Sequence, residues 1–201
     1  MCDSVSSLAN LGQVFEKFRP QLLSMLQRRM DPGLGKRDDP EDVLADAFLA
    51  ARHRWPKVEL QLFGDAVGQE EKLQYAWLYR ITRDTLIERY RFNARDKRDM
   101  RRDMAWSEAG SSQLCGLMKQ GTSPDKTLLR IELQEEVRRV VDLLKDNERE
   151  VLWMRHEDQL NYRQSGIVLE ISENAATVRY TRALRRLREL WQKLHAEWSR
   201  T

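Results

Sequence analysis

Residues 161–187 read NYRQSGIVLEISENAATVRYTRALRRL, and this stretch decides the fold. Asn161 followed by Gln164 forms a variant of the capping box: the Asn oxygen can accept from an orphan backbone N–H while the Gln side chain reaches back. Glu170-Ile171-Ser172 reads as a tight turn, and Ser172 caps a second helix that meets no breaker until about Glu197. Gly166 is small where the two helices would cross, and Val168, Leu169, Ile171, Val178 and Leu184 are apolar where they would pack. A short helix, a tight turn and a longer helix make a helix-turn-helix, whose second helix enters the major groove of DNA. On that helix Arg179, Arg182 and Arg186 share a face at i, i+3 and i+7, with Thr177 and Tyr180 beside it. Arginine suits the place because its planar fork grips guanine O6 and N7 together, or a phosphate. Glu170 stands where such a turn usually has Gly, at ~1 kcal/mol for a left-handed backbone. Ser165 stands where an aliphatic residue is usually buried.

Upstream of this stretch, Leu133, Val137, Val140, Val141 and Leu144 predict one helix and Val151 and Leu152 lie on a short one after Asn147. The segment from about Asp103 to Pro124 carries Ser107, Gly110, Ser111, Ser112, Gly116, Gly121 and Ser123 without any period, which predicts a flexible linker. The domain division is therefore 1–102, a linker 103–124, and 125–201. In the first domain Leu8, Leu11, Phe15, Phe18, Leu22 and Leu26 predict a helix to about Met30, kinked at Pro20. Asp39-Pro40-Glu41-Asp42 opens a second helix with an N-cap, a proline at the first helical position and acids in the first turn, and Trp55-Pro56 closes it. Pro56 to Glu71 reads as a loop. A third helix from near Lys72 to Asn93 buries Leu78, Ile81, Thr82, Thr85 and Leu86. Its neighbouring face carries Trp77, Arg80, Asp84 and Arg91.

Composition narrows the function. Of 201 residues, 41% are hydrophobic and 33% charged, and nine Gly with five Pro leave little turn chemistry for a sheet, so the fold class is all-α. No apolar run approaches the ~20 residues of a membrane-spanning helix, and Met1-Cys2-Asp3-Ser4-Val5 lacks the layout of a secretory signal. A cytoplasmic protein without membrane insertion is expected. Two cysteines give neither a disulfide framework nor a zinc site. His156-Glu157-Asp158 resembles the start of a zinc-peptidase motif, but Leu160 takes the second histidine's place. No phosphate-binding glycine loop and no constellation around His53, His156 and His195 supports catalysis. No cofactor, no metal and no enzymatic activity are expected. The 35 basic and 32 acidic residues are segregated: nine basic and four acidic from Arg80 to Arg102, seven and two from Asn174 to Thr201. A basic stripe on a helix is the footprint of phosphate binding, although a solvated face has the same composition.

Taken together, these residues resemble the extracytoplasmic-function (ECF) branch of the bacterial sigma-70 family of RNA polymerase sigma factors. Asn147 to Leu152, Leu160-Asn161-Tyr162, Ile171 to Ala175 and Val178 to Leu187 are similar to region 4, which in the family binds the minus-thirty-five element. Phe18 to Leu22 and Asp39 to Phe48 resemble the first part of region 2, and Ala76 to Arg91 its promoter-melting part.

The resemblance implies core RNA polymerase (beta-prime clamp and beta flap) and promoter DNA as partners, with an anti-sigma factor as a further candidate. It assigns polymerase contact to Glu41, Asp42, Asp46 and Phe48, and minus-ten contact to Trp77, Arg80, Arg83 and Arg91. The loop from about Gln61 to Gln74 corresponds to the segment that captures a flipped base. Minus-thirty-five contact falls to Thr177, Arg179, Tyr180, Arg182, Arg185 and Arg186. Ala45 replaces the family's usual Gln, and Asp84 its usual Asn. A stand-alone helix-turn-helix regulator is the alternative, with the mixed aromatic and basic face of the third helix arguing for the sigma reading.

Overall fold

The computed structural model describes residues 2–30, 39–58, 70–93, 114 and 127–198. All regular structure among them is helical: α1 (Cys2–Arg29), α2 (Pro40–Val58), α3 (Glu70–Asn93), α4 (Thr127–Asp142), α5 (Asp146–His156), α6 (Tyr162–Leu169) and α7 (Glu173–Trp198). The chain divides into two compact units, Met1–Ala105 with Ile167–Glu170, and Trp106–Gly166 with Ile171–Thr201. The linker expected at 103–124 lies outside the described residues apart from Leu114, which is helical and buried.

In the first unit α1, α2 and α3 pack on one another in all three pairings. Asp39 starts α2 as expected, its Oδ1 accepting the Glu41 N–H at 2.9 Å. Helix α1 begins before Leu8 and runs through Pro20, and α2 continues past Trp55-Pro56 to Val58. The core takes Leu11, Leu22, Met25 and Leu26 from α1, Val43, Leu44, Ala47 and Ala51 from α2, and Leu73, Leu78, Ile81 and Leu86 from α3. Aromatic pairs join the helices: Phe15 with Phe48 at 4.9 Å between centroids, Phe18 with Tyr75 at 5.2 Å, and Trp55 with Trp77 at 5.5 Å. Near the end of α1, the buried Arg29 donates through Nη2 to the hydroxyl of buried Tyr79 on α3.

In the second unit α7 packs on α4 and α5. Its interior holds Val137, Val140, Val141 and Leu144, then Val151, Leu152, Trp153 and Met154, and finally Ala176, Ala183 and Leu187. Arg149 of α5 is also buried, with Nη2 3.2 Å from Asp146 Oδ1. The backbone N–H of Lys145 donates to Glu148 Oε2 at 3.1 Å, which ties down the start of α5. No helix among the described residues is long and apolar enough to cross a membrane.

Candidate nucleic-acid interface

The two helices of the motif form where their caps are written. The N–H of Gln164 donates to Asn161 Oδ1 at 2.8 Å and the N–H of Asn161 donates to Gln164 Oε1 at 2.9 Å, a reciprocal capping box at the start of α6. Ser172 Oγ accepts from the Ala175 N–H at 3.1 Å and caps α7. Between them Glu170 has φ 55°, the left-handed turn expected at that position, and the Ile171 N–H closes it on the Gly166 carbonyl at 2.9 Å. Gly166 is required by space: a Cβ there would stand 2.8 Å from the Ile171 carbonyl oxygen and 3.4 Å from the Glu173 nitrogen. Ser165 beside it is buried.

Burial of Ala176, Ala183 and Leu187 fixes which side of α7 faces inward, and hence which side is presented. Arg182, Arg185 and Arg186 are exposed, while Arg179 is half-buried. Arg185 and Arg186 both lie near Glu189, at 4.0 and 3.2 Å. Their pairing is exposed and weak, so phosphate can compete for either guanidinium. Thr177 is half-buried, and its Oγ1 donates to the Glu173 carbonyl at 3.0 Å.

Two expectations for α7 change. Tyr180, expected beside the arginine face, is half-buried: its hydroxyl lies 3.1 Å from His156 Nε2 and its ring centroid 5.5 Å from that of Tyr162. It lies one turn from Ala176 and three residues from Ala183, on the packed side, so it helps seat α7 on α5. Burial, and then the charge of Arg155, hold His156 well below its usual range, at about 4, and burial and Tyr162 push the Tyr180 hydroxyl up. Both groups are therefore neutral near pH 7. Val178, expected to pack, is instead 40% exposed, and Asn174 one turn earlier is exposed too.

In the first unit, Trp77 moves from the presented face to the core. It is 2% exposed and packs on Trp55, because α3 lies against both α1 and α2 and must bury a wide arc. Asp84 lies close to both neighbouring arginines on α3, 3.7 Å from Arg80 Nε and 3.0 Å from Arg83 Nη2, so its carboxylate offsets part of their charge. Arg91 lies within α3, with its side chain outside the described residues. Of the expected capture loop, 61–69 lies outside the described residues, while Glu70 to Gln74 form the start of α3.

On α2, Glu41, Asp42 and Asp46 are exposed. Glu41 pairs with Arg19 at 2.6 Å, and Asp46 Oδ2 accepts from Arg89 Nε at 2.9 Å, while Arg89 Nη2 also donates to the Asp42 carbonyl at 3.1 Å. Arg89 thus straps α3 to the acidic helix and orients Asp46. Phe48 is half-buried against Phe15, so much of its ring belongs to helix packing.

Residues 134–187 match the family described as Sigma-70, region 4. That segment is similar to sigma-70 region 4. The matched segment runs from α4 to Leu187 of α7 and contains the whole helix-turn-helix. No curated protein matches by sequence. Among solved structures, the sigma factor RpoE from Bartonella quintana, in complex with the anti-sigma factor NepR, is similar at 17% identity. The similarity covers 92% of this chain and 95% of that chain, with a TM-score of 0.45.

Asn174, Val178 and Arg89 are the residues that reading the sequence left out of these surfaces. The signal for the first two was present in the spacing of Ala176, Ala183 and Leu187, which defines the inward side of α7.

Proposed function

We propose that this chain is an ECF-type sigma factor whose C-terminal unit reads duplex at the minus-thirty-five element and whose N-terminal unit binds polymerase and holds the minus-ten strand. The observation that carries this reading is the region 4 match over a helix-turn-helix whose α7 presents Arg182, Arg185 and Arg186 outward. Seated in the major groove, such a face supplies base contacts near the helix N-terminus and phosphate contacts further along. The acidic side of α2, with Asp42 and Asp46, meets a basic surface of the polymerase clamp. Arg89 pre-orients Asp46, so less side-chain entropy is lost on docking.

Strand opening is worked by Arg80, Arg83 and Arg91 as charge clamps on the unwound strand. Unpairing costs a few kcal/mol per flipped base, and cationic contacts to the backbone of the unwound strand offset part of it. Trp77 supports strand opening indirectly, as a core residue that packs α3 on Trp55 of α2. An anti-sigma partner is part of the proposal on the family resemblance alone. The polymerase supplies the chemistry of RNA synthesis; the chain supplies binding and opening.

Arg182→Ala in holoenzyme tests the reading. If Arg182 grips a base edge, its removal costs ~1–3 kcal/mol and relaxes preference at one base pair; if it grips a phosphate, its removal weakens all sequences alike and lowers the salt slope by about 1. No change in promoter binding at any salt concentration would make the arginine face a solvated surface.

A further inference from the structure

Val178 is an anomaly on α7. It is 40% exposed, on the side away from buried Ala176, Ala183 and Leu187, and contributes little to the core. Nor does it serve the helix, since a β-branched residue loses rotamer freedom there and lowers helix propensity relative to Ala, Arg or Glu. Its neighbours along the same line, Asn174 four residues before and Arg182 four residues after, are both exposed and both suited to base edges. Four residues advance about 6 Å along a helix, close to two base-pair steps of about 3.4 Å. The three side chains therefore present donor–acceptor, apolar and cationic groups in order to base pairs about two steps apart.

The one apolar group on the major-groove edges of DNA is the C5-methyl of thymine. Building on the sigma-factor reading above, we infer that Val178 is a specificity residue that packs against a thymine methyl in the minus-thirty-five element. Asn174 and Arg182 address base pairs about two steps away on either side. The stiff χ1 of valine makes the contact with little ordering cost. The capped start of α7 and the seating of Tyr180 on α5 hold its rotation about the helix axis.

The test uses holoenzyme assembled with core polymerase. A preferred minus-thirty-five sequence is first selected from a randomised promoter pool, and each thymine in it is then replaced singly by deoxyuridine, which lacks only the methyl. For the unaltered protein, one replacement weakens binding about fourfold, the worth of burying one methyl-sized group. Val178→Ala, a change on an exposed helix face, binds the thymine site about as weakly as the unaltered protein binds the uracil one, and loses nothing further on the uracil site. Its salt slope stays the same, because no phosphate contact is removed. A selected site at which no thymine is sensitive, or one whose sensitivity is equal in both proteins, overturns the role of Val178 and leaves the region 4 reading standing. A pool that yields no preferred sequence for the unaltered holoenzyme overturns that reading and the inference with it.

Discussion

Gly166→Ala puts a methyl 2.8 Å from the Ile171 carbonyl oxygen and 3.4 Å from the Glu173 nitrogen. Carbon–oxygen contacts settle at about 3.3 Å or more, so the turn must move by roughly 0.5 Å. Both neighbours are backbone, one in the turn and one in the first residue of α7, so no rotamer change can relieve the contact. Overpacking of this kind costs ~1–3 kcal/mol, and the better helix propensity of Ala over Gly returns up to ~1 kcal/mol. The expected net loss is ~1 kcal/mol. Because the displaced atoms set the entry of α7, promoter preference falls as well. Urea unfolding of the full-length protein and holoenzyme binding at the selected promoter measure the two effects. Equal or greater stability with unchanged binding would refute the close-crossing account of this turn. Glu170→Gly acts in the opposite sense: φ 55° suits glycine, and relief of ~1 kcal/mol, less the entropy gained by the unfolded chain, leaves a gain of about 0.5 kcal/mol.

Further outcomes follow from the same geometry. Trp77→Ala should destabilise the N-terminal unit by ~3–5 kcal/mol, as for a fully buried aromatic, whereas Trp77→Phe should keep most of the stability and most of the strand opening; permanganate reactivity of minus-ten thymines reads the opening, and a stable Ala variant would return Trp77 to the surface. Asp42→Arg should weaken association with core polymerase by ~2 kcal/mol or more while leaving helix content unchanged, and unaltered co-elution at limiting concentration would remove α2 from the polymerase contact. His156 has a folded-state value of about 4 against 6.5 free, so between those values the unfolded chain binds more protons. Its contribution, ~3 kcal/mol, is complete above pH ~6.5 and is lost as pH falls through 4. Urea midpoints from pH 7 down to 4.5 should fall faster for the natural protein than for His156→Gln, and parallel curves would show that His156 is not buried neutral.

The parts of this fold that local chemistry determines were legible in advance. Asn161 with Gln164, Asp39 and Ser172 each cap the helix that follows them, since a cap depends on residues within one turn. The strained turn at Glu170 could be placed for the same reason. What escaped was rotation: Val178 and Tyr180 exchange places between packed and presented sides, since Ala176 and Ala183, which with Leu187 mark the inward arc of α7, carry little apolar weight in the pattern until α5 and α4 cover them. His156 meets Tyr180 across 24 residues, a pairing that no local period encodes. Trp77 was misplaced because helical periodicity marks a stripe, whereas α3 lies against two helices and buries far more than a stripe. Asp46 was found as an acid on an exposed helix, but its orientation by Arg89 depends on the packing of α2 against α3.

Initiation in a purified system bears most directly on the function. Core RNA polymerase alone, and core polymerase mixed with this protein, are each presented with a supercoiled library of promoter sequences, and transcript starts are mapped. The sigma-factor reading predicts co-elution of the protein with core polymerase and discrete starts that appear only in the mixture. It also predicts a shared upstream element in those promoters whose preference changes in Arg182→Ala. Specific duplex binding by the protein alone, with no association with core polymerase and no new start, would contradict it.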